Sequence, residues 1–235
     1  TPAPESHLSI VETILSTLKN KPFVIYLVGN LSFWFGFNII TSCVPYYVTG
    51  LLKLKEGDAM KYFAIALSVA FVCIPIVNFM TSRVCKRNIM IFALAMFMVL
   101  LPSIYFFGSK NLPIDPVMFS YIIIALIGIP LSTLFIVPNA IVADLTDYDE
   151  KFTGLRREAI YFGTQGFFLK ITLGLSTFLM GLLFKFFGKS LDHPLGIQLT
   201  GIVGGVFALT GVIAFLFFPQ DLVAHADKLL KSGKK

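Results

Sequence analysis

The stretch Ala143–Lys170, "ADLTDYDEKFTGLRREAIYFGTQGFFLK", sets five carboxylates, two adjacent arginines and two lysines between apolar runs. Its last lysine, Lys170, lies inside the apolar run that begins at about Ala159. On a helical reading, the segment is a charged turn at a membrane surface, followed by a span that takes one cation into the bilayer.

The rest of the chain fits that frame. Of its 235 residues 56% are hydrophobic and 14% charged, with a mean hydropathy of +0.82. A soluble domain carries about 25% charged residues, so the fold class expected here is all-α integral membrane. A helix needs about 20 apolar residues at ~1.5 Å each to cross the hydrocarbon. Six runs meet that length, over about 23–52, 59–80, 89–107, 117–142, 159–187 and 195–218. Interior prolines at Pro45, Pro75, Pro102, Pro130 and Pro138 predict kinks, since each removes a backbone donor and crowds the preceding turn.

Lys and Arg are distributed unevenly between the two sides. With the N-terminus inside, the inner segments hold twelve of them, from Lys19 and Lys21 through Arg83, Lys86, Arg87, Lys151, Arg156 and Arg157 to four in the tail, and the outer segments hold five. The positive-inside rule then places both termini in the cytoplasm. This asymmetry and anionic lipid headgroups account for the net charge of +6, so no nucleic-acid partner is implied.

Catalytic and metal chemistry find little support. Cys43, Cys73 and Cys85 are too scattered for a disulfide framework or a metal site. His7, His193 and His225 sit in loops or tails and form no metal-ligand spacing, and no nucleophile elbow or phosphate loop occurs. The expectation is no enzyme, no cofactor and no bound metal.

Within the opening stretch, Asp144 and Asp147 are one helical turn apart and can share a face, and Asp149, Glu150 and Glu158 follow, opposite Arg156 and Arg157. Asp149, Glu150 and Lys151 read as a solvated loop. Asp144, Arg156 and Glu158 abut apolar spans, where charges pair. A network of acids and guanidiniums tying the cytoplasmic helix ends together is therefore expected.

Lys170 lies twelve residues beyond Glu158, about 18 Å along a helix and near the middle of a core about 30 Å thick. An ammonium there costs at least ~2.5 kcal/mol, so it should face a protein interior or a wet cavity and serve function. Ala159, Gly163, Gly166, Lys170, Gly174, Thr177 and Gly181 recur at steps of three and four and put it on one small, polar stripe. The glycines alone also suit close helix packing.

A second row, Asn30, Trp34, Asn38 and Thr41, recurs on the first span at steps of four, four and three. Two readings stand: a cavity lining for hydroxyl-rich ligands with the indole as an apolar platform, or interhelical hydrogen bonding without a ligand. Phe135, about 13 Å along the helix from Asp144, is either an aromatic wall at similar depth or lipid-facing filler.

These residues carry a resemblance. The run from Val142 to Lys170 resembles the signature around the tenth and eleventh helices of the glycoside-pentoside-hexuronide:cation symporters, the melibiose permease family of the major facilitator superfamily. Asp144, Asp147, Tyr148, Glu150, Gly154, Arg156, Glu158 and Lys170 match its pattern. "SRVCKRN" at 82–88 resembles the superfamily's cytoplasmic loop between helices eight and nine, and "LKNKPFVIYLVG" at 18–29 resembles the approach to the seventh helix.

The resemblance implies the C-terminal six-helix half of a twelve-helix transporter in the plasma (inner) membrane. Residues 1–20 would be a cytoplasmic linker, 21–219 the six-helix bundle and 220–235 a cytoplasmic tail with a short surface helix. It further implies cation-coupled symport of a sugar or glycoside by alternating access, coupled to Na⁺, H⁺ or Li⁺, with an N-terminal six-helix half and membrane lipid as partners. Lys170, Asn30, Trp34, Asn38 and Phe135 would line the substrate and cation cavity. Asp144, Asp147, Arg156 and Glu158 would form a cytoplasmic gate. Two alternatives stay open: a lysophospholipid or other organic-solute symporter, and a non-transporting six-helix membrane partner protein.

Overall fold

The computed structural model describes residues 10–109, 112–189 and 193–222. A short helix α1 (Ile10–Leu18) precedes α2 (Lys21–Tyr46), α3 (Ala59–Thr81), α4 (Lys86–Leu100), α5 (Pro116–Thr153), α6 (Glu158–Phe187) and α7 (Leu195–Leu216). Among the described residues six helical segments are long and apolar enough to cross a membrane, and their limits lie close to the six apolar runs.

Local chemistry sets the helix ends. Asn20 caps α2 by accepting from the Phe23 N–H at 3.3 Å, with Pro22 in the first turn. Asp115 caps α5 through the N–H groups of Val117 and Met118, both at 3.0 Å, with Pro116 following it. Pro45 lies near the end of α2, which widens into a π-helical turn at Tyr47–Leu51. Pro102 does not kink a continuous α-helix; it opens the 3₁₀ turn Pro102–Phe106 that completes the third crossing.

The fourth crossing differs from expectation at its inner end. The apolar run stops at Val142, but α5 continues through the acidic segment to Thr153. Polar side chains are no obstacle to a helix that has left the hydrocarbon. The stop comes at Gly154, which takes the left-handed conformation at φ 69° and donates its N–H to the Glu150 carbonyl at 2.8 Å.

Packing follows small residues and aromatic pairs. α2 lies against α7, where Phe35 stacks on Phe207 at 3.6 Å, and reaches α4 through Phe33 on Phe97 at 4.5 Å. α3 packs on α5, and a Cβ at Gly128 would come within 2.6 Å of the Ala66 carbonyl, so the close crossing requires glycine there. Buried hydroxyl pairs pin the same interfaces: Tyr62 with Ser120 at 2.8 Å, and Tyr47 with Thr200 at 2.7 Å. α4 contacts both α5 and α7, whereas α6 rests more lightly on α2 and α7.

The expected linker segment is partly built into the bundle. Thr17 of α1 is buried and donates to Thr164 of α6 at 3.1 Å, and Asn20 donates to the Tyr161 hydroxyl at 2.8 Å. After α7, Phe218 and Leu222 are buried. The surface helix expected in the tail falls at 223–235, outside the described residues.

Candidate functional site

The stripe on α6 is an open face. Nothing lies within 4 Å of a Cβ placed on Gly163, Gly166, Gly174 or Gly181. The close-packing reading of these glycines therefore does not hold among the described residues. Lys170 is exposed on that face and makes no ion pair or hydrogen bond among the described residues. The opposite face of α6, with Tyr161, Thr164, Thr172 and Ser176, is the buried one.

The row on α2 splits. Asn38 is half-buried and donates to the Ser176 hydroxyl of α6 at 2.6 Å, with a longer contact to Thr177 at 3.5 Å. Trp34 is half-buried, edge-on to Phe37 at 5.8 Å. Asn30 is 0% exposed, and neither amide atom has a hydrogen-bond partner among the described residues. Steps of four on a helix of about 3.6 residues per turn drift by about 40° each, so Asn30 and Asn38 point about 80° apart. Asn30 is therefore excluded from the open side, correcting its place in a cavity lining. Phe135 is 47% exposed on α5, with Asn139 one turn further along and also exposed.

One turn before Asn30, Tyr26 joins three helices. Its hydroxyl donates to Gln165 Oε1 at 2.9 Å and lies 3.2 Å from the Pro138 carbonyl. Tyr26 sits at the same four-residue spacing as Asn30 and Trp34, so the sequence row could have been extended to include it.

The cytoplasmic charges pair differently from the expected network. Asp144 is paired with Lys86 at the start of α4, with Nζ 2.7 Å from both carboxylate oxygens and 3.2 Å from the Ala140 carbonyl. Asp149, expected in a solvated loop, is the buried acid: Arg157 grips it in a bidentate contact at 2.7–2.8 Å, with side chains only 21% and 8% exposed for Arg157 and Asp149. Arg156 and Glu158 meet only at 3.4 Å, with side chains 62% and 45% exposed. Asp147 is exposed and has no ion pair among the described residues. The continued helix is the cause, because Asp149 falls four residues after the buried Leu145 and Asp147 falls on the other side. Arg87 adds a further tie, donating to the carbonyls of Phe215 and Leu216 at 2.9 and 2.6 Å, where a helix C-terminus favours a cation.

A cavity of about 260 Å³ lies among α2, α3, α4 and α5, on the side of the bundle away from these charges. Phe37, Val44, Phe63, Phe97, Ile127 and Leu131 are among the residues of its wall.

Residues 1–221 match the family described as MFS/sugar transport protein. An uncharacterized symporter from Synechocystis sp. is 22% identical over 253 residues, covering 96% of this chain and 43% of that protein. The isoprimeverose transporter of Lactiplantibacillus pentosus is 25% identical over 223 residues, covering 91% of this chain and 45% of its own. A putative sulfoquinovose importer of Escherichia coli is 28% identical over 181 residues, covering 74% and 36%. The chain thus spans less than half the length of these curated relatives. With six apolar helices in one bundle and a family match over nearly all of its residues, the chain belongs to the MFS/sugar transport protein family and has the architecture of one six-helix half of such a transporter.

Proposed function

We propose that this half works within a secondary transporter that couples a cation to the uptake of a sugar or glycoside by alternating access. The observation that carries the reading is Lys170, an ammonium near the middle of α6 on a face that none of the described residues covers. A cation at that depth is costly unless it meets carboxylates, water or substrate. The open α6 face is where a second six-helix half would complete the site, and carboxylates from that half would be the partners of Lys170.

In this reading Asn38 and Trp34 on α2, with Phe135 and Asn139 on α5, present amide and aromatic groups to a carbohydrate. Amides match sugar hydroxyls, and an aromatic face matches the apolar face of a pyranose. Both termini lie on the cytoplasmic side of a plasma membrane, with the segment before α2 acting as linker. There the Lys86–Asp144 and Asp149–Arg157 pairs tie α4 to α5 and α5 to α6, so the inner helix ends move together.

The test is uptake by the full-length protein in proteoliposomes, with a cation gradient and a panel of labelled pentoses, hexoses and disaccharides. Gradient-driven uptake of at least one sugar is expected, abolished by Lys170→Ala with the protein still made and folded. Normal coupled uptake by that variant would sink the role given to Lys170. Uptake of no sugar under any cation gradient would sink the transport reading.

A further inference from the structure

A second cavity, of about 310 Å³, lies at the end of the bundle where α3 stops and α4 starts. Val84, Lys86 and Arg87 stand on one wall, Ile141 and Asp144 of α5 on another, and residues 218–222 after α7 on a third. The charges on these walls are not equally engaged. Lys86 has three N–H groups to give, and its nitrogen already meets both Asp144 oxygens at 2.7 Å and the Ala140 carbonyl at 3.2 Å. That pair is neutral and its donors are used.

Arg87 is different. Its Nε and Nη2 donate to the carbonyls of Phe215 and Leu216 at 2.9 and 2.6 Å, which uses one edge of the guanidinium and fixes its plane. A guanidinium carries five N–H groups, so three are left, and two of these, on Nη1 and Nη2, form the second edge of the fork. No carboxylate among the described residues forms an ion pair with it. A held guanidinium with one intact edge matches two oxygens of a single oxyanion. Asp144 and Asp221 share the cavity wall and oppose a multiply charged occupant, so a singly charged one fits. The surroundings name its source. Ile202, Val206, Leu209, Ile213 and Leu216, all 37–55% exposed, follow one another along α7 at steps of four and three. This apolar row ends at Leu216, whose carbonyl Arg87 holds, and Phe217 beyond it is 73% exposed. Arg87 thus stands where a surface suited to acyl chains meets a charged cavity, the position of a phospholipid headgroup.

We propose that this cavity holds the phosphodiester of a membrane phospholipid, with Arg87 gripping two phosphate oxygens and an acyl chain lying along the α7 row. The headgroup then rests against α4, α5 and the segment after α7 at once, and it ties them together at the end that carries the Lys86–Asp144 pair. The site shares no residue with the Lys170 face of α6 and does not depend on which solute is carried.

Cys85 lines the cavity and is exposed, so its thiol reports occupancy. The full-length protein in detergent micelles is treated with N-ethylmaleimide, and the rate of Cys85 modification is read by peptide mass spectrometry. Phosphatidylglycerol mixed into the micelles should slow that rate in a saturable way, whereas a diglucosyl diacylglycerol, which has no phosphate, should leave it unchanged. Arg87→Gln keeps a donor for the α7 carbonyls and removes the charge. It should raise the half-protecting lipid fraction roughly tenfold or more, as loss of a charge-assisted contact requires. Gln220→Glu adds a carboxylate to the same wall and should shift protection in the same direction, so it decides the matter where Arg87→Gln fails to fold. Equal protection by the phosphate-free lipid overturns the proposal. Protection that persists unchanged in both variants does so too, since it would reflect the charge of the micelle and not the cavity. Protection by soluble glycerophosphoglycerol at the same concentration as the lipid would assign the cavity to a soluble phosphodiester and overturn the lipid as its occupant.

Discussion

The Asn38 amide and the Ser176 hydroxyl meet at 2.6 Å, joining α2 to α6 six residues beyond Lys170. That distance along α6 is about 9 Å, so this bond sets how the Lys170 face is presented relative to α2. A double-mutant cycle with Asn38→Ala and Ser176→Ala should give a coupling of about 0.6–1.7 kcal/mol, the range for hydrogen bonds between membrane helices. Unfolding of the four proteins in detergent micelles reads it. Strictly additive losses would mean that the two residues act independently.

Arg157 should matter more than its neighbour Arg156. Removing one partner of a buried ion pair strands the other charge and costs about 3–5 kcal/mol, whereas exposed pairs contribute about 0–1 kcal/mol. The Arg157–Asp149 pair is largely buried and bidentate, and Arg156–Glu158 is exposed and long. Arg157→Ala is therefore expected to lower the unfolding temperature clearly, and Arg156→Ala to leave it near wild type. The reverse order in a thermal-unfolding series would overturn the assignment of Asp149 as the buried acid.

The crossings were legible because hydropathy and span length are local properties, and their limits were read within a few residues except at the inner end of α5. There the signal was Gly154 rather than the end of apolar residues at Val142, since solvent-exposed acids continue a helix until a left-handed residue stops it. The face of Lys170 was also legible, because steps of three and four track the helical period. The partner of Asp144 was not, because Lys86 lies 58 residues away and its approach depends on how α4 packs on α5. Asn30 failed for a different reason: two successive steps of four rotate it about 80° away from Asn38.

Gly154 offers a check on the extended α5. At φ 69° it occupies a region that costs other L-residues about 1–2 kcal/mol. Gly154→Ala should destabilise by about that amount although a Cβ there would meet nothing within 4 Å, so the penalty is conformational and not steric with neighbours. Gly154→Asn should recover part of it, since Asn tolerates this conformation better. Equal stability of the glycine, asparagine and alanine proteins would mean that α5 does not end in this way.

Asn30 gives the least intuitive expectation. A fully buried amide with no partner costs roughly 1–3 kcal/mol in lost solvation. Leucine keeps the branched four-atom shape without a polar atom, so Asn30→Leu should be neutral or stabilising by up to about that amount in thermal unfolding wherever the neighbours take up its larger methyl groups. Pro138 lacks the N–H that would have satisfied the Leu134 carbonyl one turn earlier. Tyr26, one turn before Asn30, already reaches the Pro138 carbonyl, and because α2 and α5 run antiparallel, moving one turn along each keeps Asn30 and the Leu134 carbonyl at the same height. If Asn30→Leu instead loses stability by 1 kcal/mol or more, a scale set by one buried hydrogen bond, Asn30 has a partner in the folded protein, and the Leu134 carbonyl is the group to examine next. If it gains stability but slows uptake, the amide is held at a cost to the fold because the moving helices need it.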